Sequence, residues 1–165
     1  MSPANVTVPG DPYGTQPAFN YTLKTDTAPG IACGTSWLLQ GANCMLAWQD
    51  RGIPDGRILY TWFSINPATG DIVWQGTVGV RGSAFTVGNV SAAYFDGEYW
   101  LAWKTLGTVS DAAWTHRPAS SNLFSGWSTT QYMGRSRVVD APTWLYHPTG
   151  SGETALIWTE HALTF

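Results

Sequence analysis

Three short apolar phrases in this chain each end on a tryptophan, and the tryptophans are evenly spaced. They are Trp48, Trp103 and Trp158, and 55 residues separate each from the next. An even period of this length predicts a repeated supersecondary unit, which constrains the architecture more than any single residue does. The phrases are Met45-Leu46-Ala47-Trp48, Trp100-Leu101-Ala102-Trp103 and Ala155-Leu156-Ile157-Trp158.

The repeat extends on both sides of each tryptophan. An apolar segment precedes Trp48 and Trp103 by the same distance, at 36–40 and at 91–95, and a looser counterpart at 143–147 precedes Trp158. The first two copies also continue alike, because segment 57–62 corresponds to 110–115 and segment 72–75 to 125–128. Two copies are nearly complete in this alignment, and a third consists of its first two segments.

Each copy predicts four short strands. Asp96-Gly97 lies between apolar runs, which is the strongest short-range signal for a tight hairpin. We expect residues 40–43 to form the equivalent turn in the first copy and 148–152 a longer turn in the third. The apolar runs are rich in Trp, Tyr, Val and Ile, which suit a pleated surface. Ten prolines and 18 glycines interrupt any long candidate helix, so the chain is predicted to be all-β.

Composition narrows the classes of function. The 165 residues suit one domain with a real core, and only 12% of them are charged. The net charge of −3 supplies no basic patch, which argues against binding of nucleic acid or anionic membranes. No apolar run reaches the length of a membrane span. No secretory signal is visible at 1–5, so we expect a soluble protein, cytoplasmic or released by a non-classical route, with its localisation otherwise open.

The two cysteines, Cys33 and Cys44, are too few for a disulfide scaffold or a metal site. If 41–43 forms the turn, Cys44 pairs nearer Leu39 than Cys33, and a direct cross-strand bridge fits poorly. We therefore expect two buried free thiols, with a bridge as the alternative.

Four-stranded repeats in which a tryptophan closes the second strand resemble β-propeller blades, and in particular those of sialidase-like and Photorhabdus-type lectin propellers. The residues that carry the resemblance lie within 31–165. A blade opening is matched at 140–144, the second strand at 99–104 and the third at 57–60, while 64–74 resembles a degenerate Asp-box. The resemblance implies an all-β propeller protein that binds carbohydrate.

Counting blades leads to an expectation about assembly. Residues 31–82 form one blade and 83–135 a second, while 136–165 form part of a third that two candidate strands within 1–30 could complete. The whole of 1–165 is then one propeller-type domain with about 2.5–3 four-stranded blades. Propellers usually have about four to eight blades, because fewer wedge-shaped sheets leave gaps around the axis. We therefore expect a homo-oligomer that completes the ring, with a dimer favoured.

Carbohydrate binding is the first hypothesis for function. Sugars stack their C–H faces on aromatic rings, and this chain has 10 Trp and 7 Tyr. Because Trp48, Trp103 and Trp158 end apolar strands, we expect them in the core. Aromatic and polar residues outside this repeated apolar pattern are better ligand candidates. Each of them could equally pack in the core or lie in a solvated turn. The predicted glycan-binding residues are Trp62, Trp74, Trp114, Trp127, Arg57, Asp111 and Arg117.

Two other classes of function compete with carbohydrate binding. A propeller-type glycoside hydrolase needs two carboxylates about 5–10 Å apart, and nothing in the sequence pairs Asp50, Glu98, Asp140 or Glu160. The three histidines lack metal-ligand spacing, so we expect no enzyme, no metal and no cofactor. A protein-interaction or toxin-targeting scaffold stays open as the alternative to a lectin.

Overall fold

In the computed structural model the described residues are 7–9, 20–22, 25, 27–34, 43–50, 56–106, 111–120, 126–134, 138–140, 142–146 and 154–157. Eleven strands lie within these residues, together with turns and no helix. They are β1 (Thr7–Pro9), β2 (Asn20–Thr22), β3 (Gly30–Cys33), β4 (Cys44–Gln49), β5 (Arg57–Ile65), β6 (Ile72–Phe95), β7 (Glu98–Thr105), β8 (Ala112–Pro118), β9 (Gln131–Tyr132), β10 (Thr143–Tyr146) and β11 (Thr154–Ile157).

The strands pair antiparallel throughout, which confirms the all-β prediction. Strands β3 to β9 form one seven-stranded sheet in chain order, while β1–β2 and β10–β11 form separate two-stranded sheets. The burial of side chains along β7 follows the two-residue period of a strand at its beginning, since Tyr99, Leu101 and Trp103 are buried while Trp100 is only partly buried. Side chains of a strand point alternately to its two faces, so this pattern places one face on the core.

Strand β6 is 24 residues long and carries the chain from one half of the sheet to the other. Its first part pairs with β5, from Ile72 to Phe85, and its second part pairs with β7, from Thr86 to Phe95. The register shifts within both ladders. Such bulges bend a strand and increase its twist, which allows the two halves of the sheet to face each other.

The core lies between these two halves. Apolar side chains from β3, β4 and β5 form one buried cluster with others from β6, β7 and β8. Gly30 marks a close approach of the two halves, because a Cβ there would lie 2.5 Å from the carbonyl oxygen of Val90 and 2.8 Å from the amide nitrogen of Ala92. Only glycine lets β3 and β6 come this close.

The predicted Asp-Gly hairpin is confirmed. Phe95 pairs with Glu98, and the two turn residues have positive φ, 52° at Asp96 and 74° at Gly97. Positive φ at both central positions is the geometry of a type I′ turn, whose twist matches that of the flanking strands. This turn fixes the register of β6 against β7.

The prediction for the first hairpin was wrong in register. Cys44 pairs with Cys33, not near Leu39, so the connection from β3 to β4 spans 34–43. A backbone hydrogen bond closes this loop, from the amide of Gly34 to the carbonyl of Asn43, at 2.6 Å. The strand predicted over 36–40 lies outside the described residues.

The expectation of free thiols is corrected by the same register. Cys33 and Cys44 form a disulfide, with their Cα atoms 4.0 Å apart. The bridge forms because directly opposed residues of an antiparallel pair bring their side chains together on one face.

The remaining elements agree in part with the predicted repeat. Trp48 and Trp103 are buried, as expected for core residues, whereas Trp158 lies outside the described residues. The third hairpin forms from β10 and β11, although its predicted turn at 148–152 also lies outside them. Among the described strands, β1–β2 does not join β10–β11. The blade boundaries stay a prediction, and the one at 82–83 falls inside β6.

We predict that the disulfide contributes measurably to stability. Removing it with the double change Cys33→Ala and Cys44→Ala should lower the free energy of unfolding by about 2–4 kcal/mol, because the bridge restricts the unfolded chain. Urea denaturation followed by tryptophan fluorescence measures this loss. A reducing agent should bring the wild type to the midpoint of the variant and leave the variant unchanged. Equal midpoints for wild type and variant without reductant would contradict the prediction.

Candidate functional site

A buried arginine organises the interior between the two halves of the sheet. Arg117 lies on β8 directly opposite Tyr99 on β7 and is fully buried. Its guanidinium carbon lies 4.8 Å from the ring centroid of Trp62 and 5.7 Å from that of Trp127. Both distances fall within the range of cation–π attraction. Three of the seven predicted site residues are thus brought together around one charge.

Tyrosine rings complete this arginine–aromatic cluster. Tyr99 lies edge-on to Trp62, with ring centroids 4.8 Å apart, and Tyr60 lies edge-on to Trp127 at 5.4 Å. Edge-to-face packing places the positive edge of one ring on the negative face of another. The hydroxyl of Tyr99 also donates a 2.7 Å hydrogen bond to the carbonyl of Asn43, in the loop beyond β3.

Burial changes the protonation equilibria of the two polar members. Loss of solvent lowers the pKa of the Arg117 guanidinium, and the neighbouring Tyr60 and Tyr99 partly oppose this effect. Burial raises the pKa of Tyr99 to about 12, because a phenolate would have little water around it. A neutral phenol beside a guanidinium is therefore the state that the fold favours.

This cluster joins the two half-sheets and offers little surface to a ligand. Trp62 and Arg117 have no exposed surface, so the structure gives them a packing role in place of the predicted sugar contact. Trp127 is partly buried against the same core. The residues that sequence reasoning grouped by composition are thus neighbours, but they lie mostly inside the protein.

The other predicted site residues are dispersed. Trp74 packs on Phe63, with ring centroids 5.2 Å apart, at a second core cluster. Arg57 is partly buried at the beginning of β5. Asp111 accepts a 3.0 Å hydrogen bond from the amide of Gly134, and its own amide donates to the hydroxyl of Thr105. The hydrogen bonds of Asp111 hold the connection before β8 in place. Trp74, Arg57 and Asp111 lie on different elements, and no contact between them is seen among the described residues.

Trp114 lies on the same strand and face as the partly exposed His116. It is partly buried on β8, with Ala102 opposite on one side and Gln131 opposite on the other. His116 follows two residues later and therefore points to the same face. We call this side of β7 and β8, which points away from the arginine–aromatic cluster, the outer face.

The outer face carries an aromatic stack that the sequence reasoning missed. The ring of Trp100 lies between two nearly parallel rings, Phe95 at 4.6 Å and His116 at 4.4 Å. Trp144 from β10 meets Trp100 edge-on at 5.4 Å. The cross-strand pair of Trp100 with His116 produces this stack, so the signal becomes visible only when β7 and β8 are aligned by register.

A carboxylate borders the stack. Glu98 Oε2 lies 2.9 Å from His116 Nδ1, which is an ion-pair distance when the imidazole is protonated. Both side chains are about one third exposed, at 28% for Glu98 and 34% for His116. Among the described residues, the indole nitrogens of Trp100 and Trp144 find no hydrogen-bond acceptor, and such groups are uncommon in a well-packed interior. The outer face therefore combines packed aromatic rings, whose indole nitrogens are buried, with the partly exposed side chains of Glu98 and His116.

The described residues provide neither a metal centre nor a membrane-crossing helix. No group of three or more His, Cys, Asp or Glu side chains in this part of the chain is arranged to hold a metal ion. Within the same residues, no helix has the length and apolar character needed to cross a bilayer.

Comparison with known proteins gives no further assignment. No family model matches the chain, and no curated protein or solved structure matches it either.

We predict that Tyr99 makes stability pH-dependent in the alkaline range. Its folded pKa of about 12 exceeds the ordinary value of 10.0, so the contribution is complete below pH 10 and is lost as pH rises towards 12. The total loss should be roughly 3 kcal/mol of unfolding free energy. Urea denaturation at a series of pH values measures it.

Tyr99→Phe should flatten this pH dependence, because the substituted ring cannot ionise in either state. The exposed Tyr132 provides a matched control, and Tyr132→Phe should keep the slope of the wild type. The same slope in Tyr99→Phe as in the wild type would show that another group is responsible.

Proposed function

We propose that this chain is a non-catalytic carbohydrate-binding protein built from propeller blades, and that it binds glycans on the outer face. The observation that carries the proposal is the partly exposed Trp114 beside the His116–Glu98 pair. Gln131, which is exposed on β9, adds an amide at the same place. The indole thus has an amide in its own row of the sheet and an imidazole in the next row on the same face, a pairing of a flat ring with polar groups that suits a sugar ring.

The chemistry of sugars favours such a surface. A pyranose presents apolar C–H groups on its faces and hydroxyls around its rim, so it binds best where a flat ring adjoins polar groups. Ala102 lies opposite Trp114 and is fully buried, so a sugar would reach the indole from the side of the exposed Gln131. Gln131, in the same row as Trp114, is suited both to accept hydrogen bonds from hydroxyls and to donate them.

The strand topology supports the blade architecture. Strands β3 to β6 and β6 to β9 form two successive four-stranded antiparallel units, and the first strands of the two units lie side by side at Gly30 and Val90. The third hairpin continues this arrangement, because the amide of Trp144 on β10 donates a 3.4 Å hydrogen bond to the hydroxyl of Ser91 on β6. In a propeller, the four-stranded blades surround a central channel in this way.

The disulfide supports a place of action outside a reducing compartment. Disulfides persist in oxidising surroundings and are rare in the cytosol. The Cys33–Cys44 bridge therefore fits a protein that meets glycans outside the cytosol, and it favours release from the cell over cytoplasmic function.

One observation favours the alternative of a protein-interaction scaffold. The hairpin between β5 and β6 exposes apolar side chains at its end, with Ile65 46%, Ile72 52% and Val73 45% exposed. Its turn is rigid, since the amide of Gly70 donates to the carbonyl of Asn66 and Thr69 donates to the carboxylate of Asp71. Exposed apolar groups on a fixed turn are typical of protein contacts.

We predict that Trp114→Ala weakens glycan binding at the outer face while the fold is kept. The wild type should bind at least one class of glycan on an array, and the variant should lose at least about tenfold in affinity because the stacking surface is removed. Tyr132→Ala is the matched control: this exposed aromatic residue is one position from Gln131, and its side chain therefore points to the opposite face. Its binding should equal that of the wild type.

Two results would overturn the proposal. One is an absence of glycan binding by folded wild-type protein. The other is full binding by Trp114→Ala. If Ile72→Ala weakens capture of a protein partner and no glycan binds, the scaffold is the better assignment.

The propeller proposal includes self-association, because the two four-stranded units and two hairpins of the described residues fall short of about four to eight blades. Light scattering on purified protein should give a multiple of 17.9 kDa, with the dimer favoured. A stable particle of 17.9 kDa would contradict the shared ring and would leave glycan binding by a single chain to be tested separately.

A further inference from the structure

A separate cavity of about 220 Å³ lies where β3, β6 and β10 come together. It is lined by residues 28–30 leading into β3, by 89–92 of β6 and by 142–143 at the beginning of β10. It differs from the outer-face site in position and in chemistry, because no large aromatic ring lines it. None of the predicted glycan-binding residues belongs to it.

Hydrogen bonds tie the segments that line the cavity to one another. The side-chain oxygen of Asn89 accepts a 2.9 Å hydrogen bond from the amide of Ala28, which ties the segment before β3 to β6. On the other side, the hydroxyl of Ser91 accepts a 3.4 Å hydrogen bond from the amide of Trp144. Pro29 and Pro142 have restricted φ where two of the lining segments meet their strands. A pocket with fixed walls loses little entropy when a ligand enters.

The lining is polar but carries no charge. Asn89, Ser91 and Thr143 supply an amide and two hydroxyls, and the remaining lining residues are Ala, Pro, Gly and Val. An ion placed here would find no opposite charge among the lining residues, so it would gain little over its interaction with water. The chemistry therefore selects a neutral ligand that both donates and accepts hydrogen bonds.

The volume limits the size of that ligand. Sites for drug-sized molecules usually occupy about 300–1,000 Å³, so about 220 Å³ suits a single small ring. We propose that this cavity binds one neutral, hydroxylated ring of monosaccharide size. Exposed Thr143 lies at its rim and provides the hydroxyl most open to the ligand.

The cavity and the outer-face site are independent. Ser91 and Trp114 lie in one row across the sheet, but Ala102 between them is fully buried. A ligand therefore has no open path along this row from one site to the other. The inference consequently does not rest on glycan binding at Trp114.

Titration of ¹⁵N-labelled protein with simple sugars tests the proposal. The probes are N-acetylglucosamine, methyl galactoside and methyl mannoside as neutral rings, with glucosamine as the charged counterpart of the first. At about millimolar concentration, at least one neutral sugar should shift the amide signals of Asn89, Ser91 and Thr143. Glucosamine should bind at least about tenfold more weakly than N-acetylglucosamine if that sugar is the ligand, because its ammonium group is not neutralised.

Matched variants separate this cavity from the outer face. Thr143→Val keeps the shape of the side chain and removes its hydroxyl, and it should weaken the cavity affinity about tenfold. Thr129→Val, at an exposed threonine outside the cavity lining, should leave that affinity unchanged. Trp114→Ala should also leave it unchanged.

The outcomes distinguish the two sites. If neutral sugars shift no cavity amide, or if Thr143→Val binds like the wild type, the cavity proposal is overturned whatever happens at Trp114. If Thr143→Val weakens sugar binding at the cavity amides and Trp114→Ala does not, the cavity proposal stands, and the outer-face assignment is decided separately by the glycan array. A loss confined to Trp114→Ala supports the outer-face assignment and overturns the cavity proposal.

Discussion

The fold depends on the contact that Arg117 makes across the interior. Its guanidinium bridges rings from the first half-sheet and from the segment after β8, while its strand belongs to the second half. A buried cation costs several kcal/mol unless its surroundings compensate for lost water, and the faces of Trp62 and Trp127 do so in part. The two halves gain this compensation only when they are together, so the same contact that holds them also specifies how they are aligned.

The repeat explains why these residues meet. Trp62 and Arg117 are 55 residues apart, which is the period of the tryptophan pattern. They lie on β5 and β8, the third strands of the two units, and the contact between their side chains crosses the core. The 55-residue period was visible in the sequence. The contact between Arg117 and Trp62 could not be predicted from it, because that contact depends on the bend of β6 that brings the two halves of the sheet together.

Local chemistry was easier to predict than geometry over a distance. The Asp96-Gly97 turn followed from the conformations that these two residues tolerate, and the burial of Trp48 and Trp103 followed from their apolar neighbours. The register of Cys33 against Cys44 depended on the length of a loop that carries no strong turn signal. The Phe95–Trp100–His116 stack arises from three strands, and no single segment contains its pattern.

Because β6 is continuous, the predicted boundary between sequence repeats at 82–83 does not coincide with a boundary between folded units. One strand of 24 residues ends the first unit and begins the second, so a cut at the sequence boundary would leave both units with an unfinished sheet. Shuffling of single repeats by recombination would therefore need crossovers in the connections on either side, such as the β5–β6 or β6–β7 turn. Repeats joined at these turns would each carry a strand that also belongs to the neighbouring unit. A change in the number of repeats would therefore be tolerated only if each new neighbour supplied the missing part of that shared strand.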